Sequence, residues 1–171
     1  MTGTRSYAPD QMIHAAGGRN IAADLVPPRK SVTVSPEWVV AQNPDIIIKS
    51  VSTSGKGKSV STSGDVGPYE RDDPKLLKDV RDAILNRPGF SEITAVKEGR
   101  VYVGPDWQLF VSPKNVVVTA YMAKWFHPEL FKDLDPKAIH QEYLNKFMRI
   151  DYDLDRHGAF VYHPEEHPDG R

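Results

Sequence analysis

Residues 31–50, SVTVSPEWVVAQNPDIIIKS, read as a short helix followed by a strand. Ser35 is a good helix N-cap, and Pro36 suits the first helical position, where its missing N–H costs nothing. Trp38, Val39 and Val40 open the apolar content, and Asn43-Pro44 stops the helix because the residue before a proline avoids helical geometry. Ile46, Ile47 and Ile48 then run without interruption, the pattern of a strand covered on both faces.

The same grammar repeats along the chain. Asp10–Ala16 reads as a helix ended by Gly17-Gly18, and residues 20–28 as an irregular connection. Residues 74–86 (PKLLKDVRDAILN) form an amphipathic helix with Leu77, Val80, Ile84 and Leu85 on one side. Phe90–Val96 reads as a short turn of helix, Arg100–Gly104 as a strand, 113–126 as a buried helix and 136–148 as a second amphipathic one. Strands separated by helices imply parallel pairing with right-handed crossovers. The expected fold is α/β, a three-layer Rossmann-like lobe with a mostly parallel central sheet. Residues 7–150 form the lobe, including a flexible Ser/Gly loop at 50–73, and residues 151–171 a carboxy-terminal tail.

Composition excludes several function classes. Lys and Arg total 22 against 23 Asp and Glu, a net charge of −1, so no basic surface points to nucleic acid. No apolar run approaches the ~20 residues that span a bilayer. Cysteine is absent, which removes a disulfide scaffold, a thiolate zinc site and a cysteine nucleophile.

Two apparent motifs do not carry chemistry. KSVSTSG occurs at 49–55 and again at 58–64, and residues 52–59 (STSGKGKS) nearly match a phosphate-binding loop. Ser52 replaces its first glycine, however, and VSTSGDVGP cannot supply the helix whose N-terminus must face the phosphates. Gly17-Gly18 follows a helix rather than a strand, so it is no dinucleotide fingerprint. The tail RHGAFVYHPEEHPDGR places His157, His163 and His167 beside Glu165 and Glu166. Spacings of six and four, across an apolar FVY and two prolines, present them on no common helix face, so a surface tail that packs Phe160 and Tyr162 is expected rather than a metal site. His127 is expected to cap the end of the preceding helix, and His14 and His140 to lie on helix surfaces. No paired carboxylates, nucleophile elbow or H-E-x-x-H motif is present, and no catalytic residue or cofactor is assigned.

In open α/β sheets ligands meet the carboxyl ends of strands. The segment after the second strand is GPDWQLF, 104–110, and two large aromatics in an irregular loop suit a contact platform for a flat or greasy ligand. Packing of Trp107 and Phe110 on the sheet edge is the alternative. Residues 31–50, 99–131 (GRVYVGPDWQLFVSPKNVVVTAYMAKWFHPELF) and 15–25 (AAGGRNIAADL) together resemble the carboxy-terminal lobe of a class of importer receptors. These are the substrate-binding proteins of iron-siderophore, haem and vitamin B12 ABC importers, of the helical-backbone type, and the likeness spans roughly residues 7–150.

The resemblance implies a non-enzymatic lobe that captures an iron complex and works with a missing amino-terminal lobe. It implies ligand contacts from Asp106, Trp107 and Phe110, with Ser31, Ser50 and Ser52 also facing the cleft. Asp106 and Trp107 match an Asp-Trp pair of the vitamin B12-binding members. Phe110 stands where those members carry a cleft arginine, a departure that counts against a corrinoid and equally against an arginine-based grip on a siderophore carboxylate or catecholate from this loop. Glu37, in Ser35-Pro36-Glu37, matches the exposed glutamate that docks onto arginines of the permease. The implied place is the periplasm or the outer face of the membrane, with a lipid anchor on the full-length protein. Two readings from other classes stay open: a Rossmann-type nucleotide-dependent enzyme domain, and a cargo-free α/β interaction module.

Overall fold

The computed structural model describes residues 2–5, 7–25, 31–51, 67–104, 109 and 113–171. Strand β1 (Thr2–Gly3) pairs antiparallel with β2 (Ser31–Val32), and β3 (Ile47–Lys49) pairs parallel with β4 (Val101–Val103). The helices are α1 (Ala8–Ala15), α2 (Pro36–Gln42), α3 (Lys75–Leu85), α4 (Thr94–Lys97), α5 (Asn115–Phe126) and α6 (Pro136–Glu142). A 3-10 turn, Phe90–Glu92, precedes α4, and a π-helical stretch, Tyr143–Met148, continues α6. The fold is α/β, and the parallel pair is the one the alternating pattern predicts.

Period-2 alternation along β3 and β4 sorts side chains between two helix layers. Tyr102, Ile46 and Ile48 face a core built with Val117, Val118, Tyr121, Met122 and Trp125 of α5. Val101, Val103 and Ile47 face a second core with Leu77, Val80 and Ile84 of α3, plus Phe90 and Ile93. Helix, sheet and helix give three layers.

Local signals set the ends of α2 as the residues suggest. Ser35 Oγ accepts the Trp38 N–H at 3.2 Å, and Asn43 sits in the left-handed region at φ 44°. The Asn43 side chain then accepts the Thr94 N–H at 2.8 Å, so one residue closes α2 and opens α4.

Four expectations need correction. The isoleucine run is only half-buried, whereas β4 is wholly buried. The pattern overstates β3's cover because, among the described residues, only β4 pairs with it. Residues 67–73, included above in the flexible loop, pack instead: Pro68 and Arg71 are buried and Tyr69 lies against the α5-side core. Residues before position 7 join the fold, since Asn20 Nδ2 donates both to the Gly3 carbonyl at 2.8 Å and to Asp10 at 2.9 Å. Residues 151–171 pack Phe160 and Tyr162 as expected, but they join the fold more deeply than a surface tail would. Phe160, Val161, Tyr162 and His163 are buried, and Tyr162 bridges antiparallel to Val103.

Candidate functional site

The carboxyl ends of β3 and β4 define the surface where the sheet would meet a ligand. Beyond β3 come half-buried Ser50 and fully buried Val51; beyond β4 comes Gly104. The Gly104 N–H donates to the Lys49 carbonyl at 2.8 Å, holding the two strand ends together. Ser31 lies exposed on β2, in a strand rather than a free loop. Asp106, Trp107, Phe110 and Ser52 lie outside the described residues, and Leu109, between them, is wholly buried.

The structure adds residues that motif reading missed. Lys49 is half-buried at the end of β3, and burial, with Arg87 nearby, depresses its pKa. Tyr69 and Lys114 sit just after the segments that leave β3 and β4, and they meet: Lys114 Nζ donates to Tyr69 Oη at 3.3 Å and stands 4.8 Å from the ring centre. Tyr69 Oη in turn hydrogen-bonds His140 Nε2 at 2.8 Å. The sequence signal was present but weak, an aromatic and a lysine close to Pro68 and Pro113.

His140 is thus no surface residue but 2% exposed, packed edge-on against Tyr69 and Phe160. Burial first, and the Lys114 ammonium second, lower its pKa to about 4. The unfolded chain binds a proton near pH 6.5 and the folded chain resists it to about 4, so stability is complete above pH 6.5 and falls as pH drops through this window. The loss should approach about 3 kcal/mol. Urea melts at pH 7 and pH 4 should show it, and His140→Gln should shrink the difference. An equal difference in the variant would assign the acid sensitivity to other groups.

Of the tail histidines, His157 Nδ1 lies 3.3 Å from the Asp72 carboxylate, and the other two face backbone acceptors. His163 Nε2 donates to the Gly99 carbonyl and His167 Nδ1 to the Arg171 carbonyl, both at 2.7 Å. Among the described residues no group of three His, Asp or Glu side chains could hold a metal ion. The backbone of His127 ends α5, while its ring approaches the Gly17 carbonyl at 3.4 Å.

Glu37 is fully exposed in the first turn of α2. Its own backbone N–H and the Ser35 hydroxyl both favour the carboxylate and hold its pKa below the usual value. Next to it, Leu25, Val32, Thr33, Val34, Ser35 and Trp38 line an open hollow of about 350 Å³. No helix of the described residues is long and apolar enough to cross a membrane.

Comparison with known proteins agrees with this layout. The family described as periplasmic binding protein matches residues 1–107. The molybdate-binding protein MolA of Haemophilus influenzae is 27% identical over 148 residues, 84% of this chain and 35% of MolA. The TroA-like periplasmic binding protein FepB of Veillonella parvula superposes with a TM-score of 0.71 at 30% identity, covering 94% of this chain and 43% of FepB. Helicobacter pylori CeuE, solved as a nickel–histidine complex, shares the fold with a TM-score of 0.61 at 22% identity, covering 87% of this chain and 41% of CeuE. The chain therefore spans less than half the length of these relatives. It belongs to the periplasmic binding protein family.

Proposed function

We propose that this chain is the carboxy-terminal lobe of a receptor that captures an iron complex, a ferric siderophore or haem-like chelate, and delivers it to an importer permease. The observation that carries the reading is the parallel pair β3–β4. Its carboxyl ends lead into the two segments holding Ser50, Ser52, Asp106, Trp107 and Phe110, the residues assigned here to cargo. Trp107 and Phe110 offer flat apolar contact, while Ser31, Ser50 and Ser52 offer hydroxyls at the rim. An amino-terminal lobe closes the cleft, and a lipid anchor holds the complete receptor at the membrane. Glu37 is the docking residue; its exposure and ionised state suit an arginine of the permease, and the hollow beside it suits a neighbouring apolar side chain. Molybdate is the second reading, favoured by the likeness to MolA.

A fluorescence titration of the complete receptor with a ferric tris-catecholate, haem, molybdate and cobalamin tests this. A ferric chelate or haem should bind tightest. The 171-residue chain alone should bind none of them at micromolar concentration, since half the contacts of a complex worth about −10 kcal/mol leave affinities near millimolar. Trp107→Ala in the complete receptor should weaken binding by about 1–3 kcal/mol with melting unchanged. Preference for molybdate would replace the iron reading, and sub-micromolar binding by the chain alone would overturn the two-lobe account.

A further inference from the structure

The segment from Tyr152 to Tyr162 touches both the point where the chain that leaves β3 rejoins the described fold, at Pro68–Tyr69, and the point where the chain leaves β4, at Val103–Gly104. On the Tyr69 side, Tyr152 Oη donates to the Tyr69 carbonyl at 2.5 Å and the Ala159 N–H to the Pro68 carbonyl at 3.0 Å. The Gly158 N–H donates to the Asp72 carboxylate at 2.9 Å, and the Phe160 ring stands edge-on to Tyr69 with centroids 4.9 Å apart. On the other side, Tyr162 and Val103 exchange two backbone hydrogen bonds, at 2.7 and 3.1 Å. Gly104 then passes against the backbone of Phe160 and Val161, where a Cβ would overlap the Phe160 carbonyl oxygen.

Ala159 and Tyr162 are three residues apart, so the chain between the two anchors spans at most ~10 Å. That connection is itself held, because the N–H groups of Phe160 and Val161 both donate to the Gly170 carbonyl, at 2.7 and 3.1 Å. Phe160 and Val161 are buried at 3% and 0% exposure, leaving little room for rotation.

We infer that residues 152–162 are a positioning element of the cargo site, a buckle that sets the spacing between Pro68–Tyr69 and Val103–Gly104. The inference rests on the receptor reading for its purpose, but its mechanics can be tested without cargo. A buckle transmits a change at one anchor to the other. An ordinary packed tail responds only where it is altered.

Two variants with matched chemistry separate these cases. Tyr152→Phe removes the hydroxyl that bonds Tyr69. Tyr102→Phe removes the hydroxyl that donates to Glu166 at 2.9 Å, a contact beyond both anchors. In the complete receptor, binding of whichever probe above the wild type takes should weaken about tenfold with Tyr152→Phe, as the part-buried Tyr69 carbonyl loses its donor. Tyr102→Phe should stay within about twofold, since its lost bond lies off the buckle. Amide hydrogen exchange on the 171-residue chain should quicken in Tyr152→Phe at Tyr69 and also at Gly104 across the buckle. Unchanged exchange at Gly104 overturns the inference, as does loss of affinity in both variants in step with their melting temperatures. If the wild-type receptor takes no probe, the receptor reading fails, and exchange at Gly104 still decides whether the buckle exists.

Discussion

Glu37→Ala in the complete receptor is expected to cut cargo uptake by about thirtyfold or more while leaving cargo affinity unchanged. Removing one partner of a desolvated, hydrogen-bonded charge pair at an interface typically costs that much or more. The carboxylate's lobe contacts are local, with its own backbone N–H and the Ser35 hydroxyl. The side chain is wholly exposed, and the cap of α2 survives because Ser35 Oγ still accepts the Trp38 N–H. Losing a favourable charge at the positive end of a short helix should cost little, and salt already screens it. The depressed pKa keeps the carboxylate charged through the neutral range, so docking should weaken only in acid, as pH falls through its lowered folded value. Raised salt should slow docking by screening the encounter. Uptake and affinity measured side by side decide the matter, and uptake equal to wild type would reduce Glu37 to a helix-start residue.

Gly104→Ala should destabilise the lobe by about 3 kcal/mol or more. A φ of +101° lies outside the regions a side-chain-bearing residue tolerates, which alone costs about 1–3 kcal/mol. The new Cβ would also meet the Phe160 carbonyl oxygen and lie 2.8 Å from Val161 Cα. These are backbone atoms tied to Gly170, so they cannot swing aside as a side chain would, and overpacking adds about 1–3 kcal/mol. For a chain of this size the melting temperature should fall by roughly 10 °C. Gly99→Ala is the control, since Gly99 also has positive φ (72°) but a Cβ there would find no atom within 4 Å. Equal melting of the two variants would show that the Phe160 contact yields.

What was legible in the residues was short-range. Ser35-Pro36 and Asn43-Pro44 bound α2 through caps and proline geometry acting within four residues, and α2 runs from Pro36 to Gln42 as these signals require. The alternation of apolar runs with amphipathic helices sufficed to predict a parallel pair, because a crossover helix leaves no other pairing sense. Glu37 could be located at a helix start and Ser50 at a strand end for the same reason, whereas Ser31 lies in β2, whose partner β1 is distant in sequence.

The tertiary structure decided what depends on distant partners. His140 looked like a surface residue because α6 alone gives it no cover; its cover is Tyr69, 71 positions earlier, and Phe160. FVY at 160–162 has the composition of a strand, yet only closure of a long loop sets Tyr162 against Val103 and folds the expected tail into the core. The isoleucines of β3 carried the strongest strand signal but are less buried than Val101–Val103, because burial depends on which elements surround a strand rather than on its own residues. Local propensity and capping specify elements, whereas their neighbours, and the spacing of the two strand ends that would meet cargo, follow from contacts no short window contains.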